Sequence, residues 1–102
     1  MNIDDVLTSS VINAISELYG ATITAQQVQL QKTKKEFEGH LTLVVFPFLR
    51  LSHLKPEETA QQIGQWLQQN EPAIEKFNVI KGFLNLSISE GFWLKLLNFW
   101  LK

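Results

Sequence analysis

The sequence predicts an α+β domain, a two-layer α/β sandwich in which an antiparallel sheet of about four strands is covered by helices. Three observations carry this expectation. Apolar residues recur at helical spacing in two long segments, strict alternation marks VQLQKT and GFLNLSIS, and each of these lies in one of two strand pairs that follow a helix. The resulting order is α-β-β-α-β-β, with a further apolar segment at the C-terminus.

The first helix is set by Ile3, Leu7, Val11, Ala14, Ile15 and Leu18. Asp4 and Asp5 fall in its first turn, where the helix dipole favours acids, and Gly20 stands just past its end. Val28 and Leu30 then alternate with Gln29 and Gln31, giving a strand with one wet face, and FEGH supplies a turn into LTLVVF. Pro47 cannot donate to a sheet ladder but suits the start of a helix, so the second strand should end near Phe46 and a short helical turn should run through FLRLS.

A second long helix should begin at Pro56, with Glu57 and Glu58 in its first turn and Ala60, Ile63, Trp66 and Leu67 as its apolar stripe. Gly64 permits close approach on that face, and Asn70, Glu71 and Pro72 end the helix. FNVI and GFLNLSIS, separated by Lys81 and Gly82, form the second strand pair, with Leu84, Leu86 and Ile88 on one face and Phe83, Asn85 and Ser87 on the other.

Ser89 is placed to cap a final helix, in which only Lys95 and Asn98 interrupt apolar residues from Phe92 to Leu101. A small domain cannot bury every side of such a helix. The expectation is therefore that residues 1–102 are a single domain cut from a longer chain, and that 90–102 form a linker helix whose Trp93, Leu97, Trp100 and Leu101 contact the next domain. A homodimer seam, a membrane-surface helix, or a protein-interaction module docking through Trp93 and Trp100 are the alternatives.

Composition narrows the function. With 102 residues and 45% hydrophobic content, the chain has one domain's worth of core. Cysteine is absent, which excludes disulfides, thiolate zinc sites and a cysteine nucleophile, and is compatible with a cytoplasmic location. The N-terminus MNIDDVLTSS carries acids where a signal peptide needs basic residues, and no apolar run reaches the roughly 20 residues of a membrane span. Nine basic residues against ten acidic ones give a net charge of −1, so any nucleic-acid contact must use a local patch.

No motif places catalytic residues. There is no Gly-x-Ser-x-Gly elbow, no HExxH helix and no phosphate-cradling glycine loop, so a small stand-alone hydrolase has little behind it. Glu36, Glu38 and His40 alternate and could share one side of a strand, but one histidine with two flexible acids is more often a solvated face than a metal site; no metal or cofactor is expected. More informative is the cluster of Lys32, Lys34 and Lys35 beside Phe37 and His40, able to meet phosphates with ammonium groups and a base with an aromatic face. The competing reading is that Glu36 and Glu38 neutralise the lysines while Phe37 tucks under the loop.

The α-β-β-α-β-β order, the start at Met1, the HLKPEETAQQIGQWL segment and the KGFLNLSIS strand together resemble the N-terminal additional domain of arginyl-tRNA synthetases. Gly82, Phe83, Leu84 and Asn85 are similar to that family's Gly-Phe-Ile-Asn strand, here without the proline that often precedes it. Gly39 and His40 stand where the family often has Gly-Asp, followed by an aromatic and then an asparagine; the corresponding positions here are Leu41 and the neighbourhood of Val44.

The resemblance implies a tRNA-binding appendage that reaches the outer corner of the tRNA at its D-loop. Lys34 and Lys35 would contact phosphates, Phe37 and His40 would face bases, Gly39 would belong to the same site, and Thr42 would be a hydroxyl donor. It also implies a class I catalytic domain in the same chain as a partner, activating arginine with ATP as a substrate of that parent enzyme. HIGH-type and KMSK-type motifs are absent from these residues, so this part alone would be non-catalytic.

Overall fold

A computed structural model describes residues 3–89. Helix α1 spans Ile3–Tyr19, with Asp4 and Asp5 in its first turn, and buries Leu7, Val11, Ala14 and Ile15. Strand β1 is short, Leu30–Lys32, and β2 runs Leu41–Val44. A 3-10 turn over Phe46–Phe48 with Pro47 in its opening positions leads into a single helical turn, α2, Leu49–Ser52. Helix α3 is Pro56–Asn70, β3 is Ile74–Ile80 and β4 is Phe83–Ile88.

The expected α-β-β-α-β-β order and the four-stranded antiparallel sheet are both present. The strand order is β1-β2-β4-β3, so the two sequence-local hairpins are joined through β2 and β4. Register at that join pairs Leu41 with Leu86, Thr42 with Asn85, Leu43 with Leu84 and Val44 with Phe83. One sheet face thus gathers Leu43, Leu84, Leu86 and Ile88, all buried against Ala60, Ile63 and Leu67 of α3 and the α1 stripe. Each fully buried leucine contributes roughly 1.5–3 kcal/mol.

Three boundaries differ from the sequence reading. β1 opens at Leu30 rather than at Val28, because Val28 caps a 3-10 turn over Ala25–Gln27. β2 stops at Val44 rather than near Phe46, because Val45 already adopts helical angles to open the turn that Pro47 favours. β3 begins at Ile74, three residues before FNVI, with an irregularity between Ile74 and Lys76 that absorbs the step in pairing.

Close approach fixes α3 on the sheet. A Cβ at Gly64 would lie 2.5 Å from the Phe77 ring, so only glycine lets the helix sit this near β3. The β3–β4 turn has Lys81 at φ 49° and Gly82 at φ 80°, the left-handed pair of a tight hairpin. A Cβ at Gly82 would lie 2.6 Å from the Pro56 Cβ, so the turn also rests on the first residue of α3.

The last predicted helix, with Trp93, Leu97, Trp100 and Leu101, lies outside the described residues. No helix among the described residues is long and apolar enough to cross a membrane.

Candidate functional site

The sheet face away from the helices carries the alternate residues. Register places Gln31, Thr42, Asn85 and Asn78 in one row across the four strands, with Val44, Phe83 and Ile80 in the row nearest the β3–β4 turn. Over this face passes the eight-residue connection 33–40 between β1 and β2. Asn85 and Thr42 are nonetheless buried, at 2% and 4% exposure, because that connection covers them.

Gly39 makes the crossing possible. At φ 139° it takes a backbone conformation that other residues rarely adopt, and an added Cβ would come within 3.3 Å of both the Asn85 Cβ and the Thr33 hydroxyl. Beneath it runs a continuous chain of hydrogen bonds. The Thr33 and Thr42 hydroxyls lie 2.9 Å apart, Thr42 donates to Asn85 Oδ1 at 2.5 Å, Asn85 Nδ2 donates to Asn78 Oδ1 at 3.0 Å, and Asn78 Nδ2 donates to the Glu38 carbonyl at 2.7 Å. The chain starts and ends in the same connection, which it ties down at both ends.

Two further contacts hold that connection. The Glu38 carboxylate pairs with Lys76 of β3. His40 is stapled to β4, its backbone N–H donating to the Leu86 carbonyl at 2.8 Å and its Nδ1 accepting from the Ile88 N–H at 2.9 Å. An accepting Nδ1 requires that the ring proton be on Nε2. Glu38 and His40 are thus occupied in different directions, and among the described residues no three His, Cys, Asp or Glu side chains converge as a metal site.

The held connection and the sheet enclose an open cleft of about 210 Å3, lined by Gln31, Lys34, Phe37, Thr42 and, from the second hairpin, Ile80, Lys81, Phe83 and Asn85. Phe37 is exposed, and Phe83 packs edge-to-face on exposed Phe46 at 5.6 Å between ring centres. Aromatic walls, two ammonium groups and amide or hydroxyl groups on the floor make a surface that can hold a flat, hydrogen-bonding group next to an anion.

Of the residues singled out in the sequence, Lys34, Phe37 and Thr42 line this cleft, and Gly39 presses on its floor. Lys35 is exposed on the same connection but is not part of the lining, and His40 anchors the connection from its far end. Thr42 is not placed as an outward donor, since its proton is directed to Asn85. Glu38 neutralises Lys76 rather than the loop lysines. Missed in the sequence were Gln31, Ile80, Lys81, Phe83, Asn85 and Asn78. The signal for Asn85 was present, because asparagine in mid-strand is a poor β-former and asks for a reason.

A helix-backed sheet whose other face holds a lysine-edged aromatic cleft under a tethered loop defines an open-faced α+β domain. Comparison narrows the class. The family model described as the arginyl tRNA synthetase N terminal domain matches residues 5–88, and the chain belongs to that family.

The chain is 63% identical over 98 residues to the arginine–tRNA ligase of Parabacteroides distasonis and 62% identical over 98 residues to that of Bacteroides fragilis. In each case 96% of this chain is covered, and the chain spans 16% of the length of these curated relatives. Among solved structures, Thermus thermophilus arginyl-tRNA synthetase matches with a TM-score of 0.73 at 18% identity, over 93% of this chain and 15% of that one. At that identity the likeness shows the fold.

Proposed function

We propose that the chain binds tRNA as the N-terminal domain of an arginine–tRNA ligase, taking the D-loop at the tRNA's outer corner into the cleft between the 33–40 connection and the sheet. The observation that carries this reading is the cleft itself, which joins Phe37 and Phe83 to Lys34 and Lys81 on the sheet face opposite α1 and α3. D-loop bases are partly unstacked, so an aromatic wall can receive one while ammonium groups meet the flanking phosphates.

Each group then has a role. Phe37 and Phe83 supply stacking surface, Lys34 and Lys81 neutralise phosphate, and Lys35 adds charge at the rim. Gly39, His40 and Thr42 hold the wall and floor in place. In the full-length enzyme the partner in the same chain is a class I catalytic domain that attaches arginine with ATP in the cytoplasm, and residues 90–102, with Trp93, Leu97, Trp100 and Leu101, lead toward it. Few lysines make the isolated domain a weak binder whose affinity becomes useful when tethered to a second site.

Affinity measurements on an arginine-accepting tRNA test this. Phe37→Ala should cost about 1–3 kcal/mol of binding. Lys34→Ala should weaken binding and lower the salt dependence by about one counterion. If both variants bind as the wild type does while replacing Trp93 and Trp100 abolishes binding to a protein partner, the domain is a protein-docking module instead.

A further inference from the structure

We infer that Asn78 is a positioning residue for the cleft, which sets the direction of the whole hydrogen-bond chain beneath the 33–40 connection and thereby the way the Asn85 amide is turned. The inference rests on the proposed tRNA role only for its consequence in binding.

The direction follows from one fixed point. The Glu38 carbonyl can only accept, so the Asn78 amide must present Nδ2 to it, at 2.7 Å. That turns Asn78 Oδ1 toward Asn85, which must answer with Nδ2, at 3.0 Å. Asn85 Oδ1 is then left facing Thr42, whose hydroxyl must donate, at 2.5 Å. With its single proton spent, Thr42 can only accept from Thr33 across their 2.9 Å separation, although distance alone allows either direction.

Every donor and acceptor in the chain is therefore assigned from its Glu38 end. Thr33, at the other end, follows the rest and decides nothing. The floor presented to the cleft consequently has Thr42 as an acceptor, and an Asn85 amide that does not flip between two states. Asn78 itself lies outside the lining of the cleft. Its effect on a ligand passes through Asn85 and through the Glu38 carbonyl of the covering connection.

The test compares three variants of the 102-residue chain by the solvent-exchange rate of the Asn85 side-chain amide protons in nitrogen-15 NMR. Asn78→Ala removes the acceptor, and exchange should rise about fivefold, the equivalent of one net hydrogen bond. Asn78→Asp keeps an acceptor for Asn85 but cannot donate to Glu38, so the Asn85 rate should stay at the wild-type value while the Gly39 backbone amide shifts. Thr33→Val should leave the Asn85 rate unchanged. The inference is overturned if Asn78→Ala has no effect, if Asn78→Asp behaves like Asn78→Ala, or if Thr33→Val speeds Asn85 exchange as Asn78→Ala does. Should Asn78→Ala not fold, Asn78→Leu, of similar volume and with no acceptor for Asn85, takes its place with the same expected rise and the same refuting result.

Binding provides the functional arm. Asn78→Ala should weaken an arginine-accepting tRNA about three- to tenfold, and Thr33→Val should not. Faster Asn85 exchange with wild-type affinity would remove the positioning role. A wild-type chain that fails to bind the tRNA would instead sink the proposed function, leaving the exchange rates to judge the hydrogen-bond chain.

Discussion

Replacing Gly82 with alanine tests how the β3–β4 turn is built into the domain. Two separate costs are expected. Gly82 sits at φ 80°, where a Cβ costs about 1–2 kcal/mol. The new Cβ would also lie 2.6 Å from the Pro56 Cβ, on a rigid ring at the start of α3, and overpacking of that kind costs about 1–3 kcal/mol. Together they give a loss of about 2–5 kcal/mol. Gly20 is the internal control, since it has φ 64° but nothing within 4 Å of an added Cβ, so Gly20→Ala should show the backbone cost alone. In urea and thermal unfolding, Gly82→Ala should fall below Gly20→Ala by at least about 4 °C in Tm. Equal losses for the two would refute the claim that the turn is pinned against Pro56.

Three further outcomes follow from packing and charge. Gly64→Ala should destabilise by up to about 2 kcal/mol, because the clash with the Phe77 ring, about 1–3 kcal/mol, outweighs a helix-propensity gain of about 1 kcal/mol; a net gain in urea unfolding would contradict that packing. His40→Asn can place an oxygen where Nδ1 accepts from the Ile88 N–H, whereas His40→Gln cannot, so Ile88 amide exchange should be slowed in the first and fast in the second, and identical rates would dismiss the staple. Burial raises the pKa of Glu71 at the end of α3, against a smaller lowering by its bond to Ser10. A raised folded-state value means that its contribution favours the fold at low pH and is lost as pH rises through that value. Glu71→Gln should therefore raise Tm at pH 7 more than at pH 4, and an equal change at both would contradict this sign.

Much of the architecture was legible because the periodicities are local. The Leu7, Val11, Ala14, Ile15 stripe and the Leu84, Leu86, Ile88 alternation state which faces are buried, and Pro56 and Gly82 mark where elements start and turn. What the sequence could not display is the join of β2 to β4, a pairing between residues 39 to 45 apart in the chain that no spacing rule encodes. The cleft depends on that join. Lys34 and Phe37 were visible as a charged and aromatic loop, but Phe83, Asn85 and Lys81 come to them only through the strand order. His40 looked base-facing because imidazole can stack, and its accepting bond to Ile88 becomes apparent only once the 33–40 connection is laid beside β4.

The central claim is that tRNA enters from the open sheet face, and an NMR titration of the chain with an arginine-accepting tRNA tests it most directly. Backbone and side-chain signals of Gln31, Lys34, Phe37, Thr42, Lys81 and Asn85 should shift together, the α1 and α3 signals should stay in place, and a tRNA with a trimmed D-loop should leave the spectrum unchanged. Shifts confined to α1, α3 or residues 90–102, or shifts that persist without the D-loop, would contradict the account.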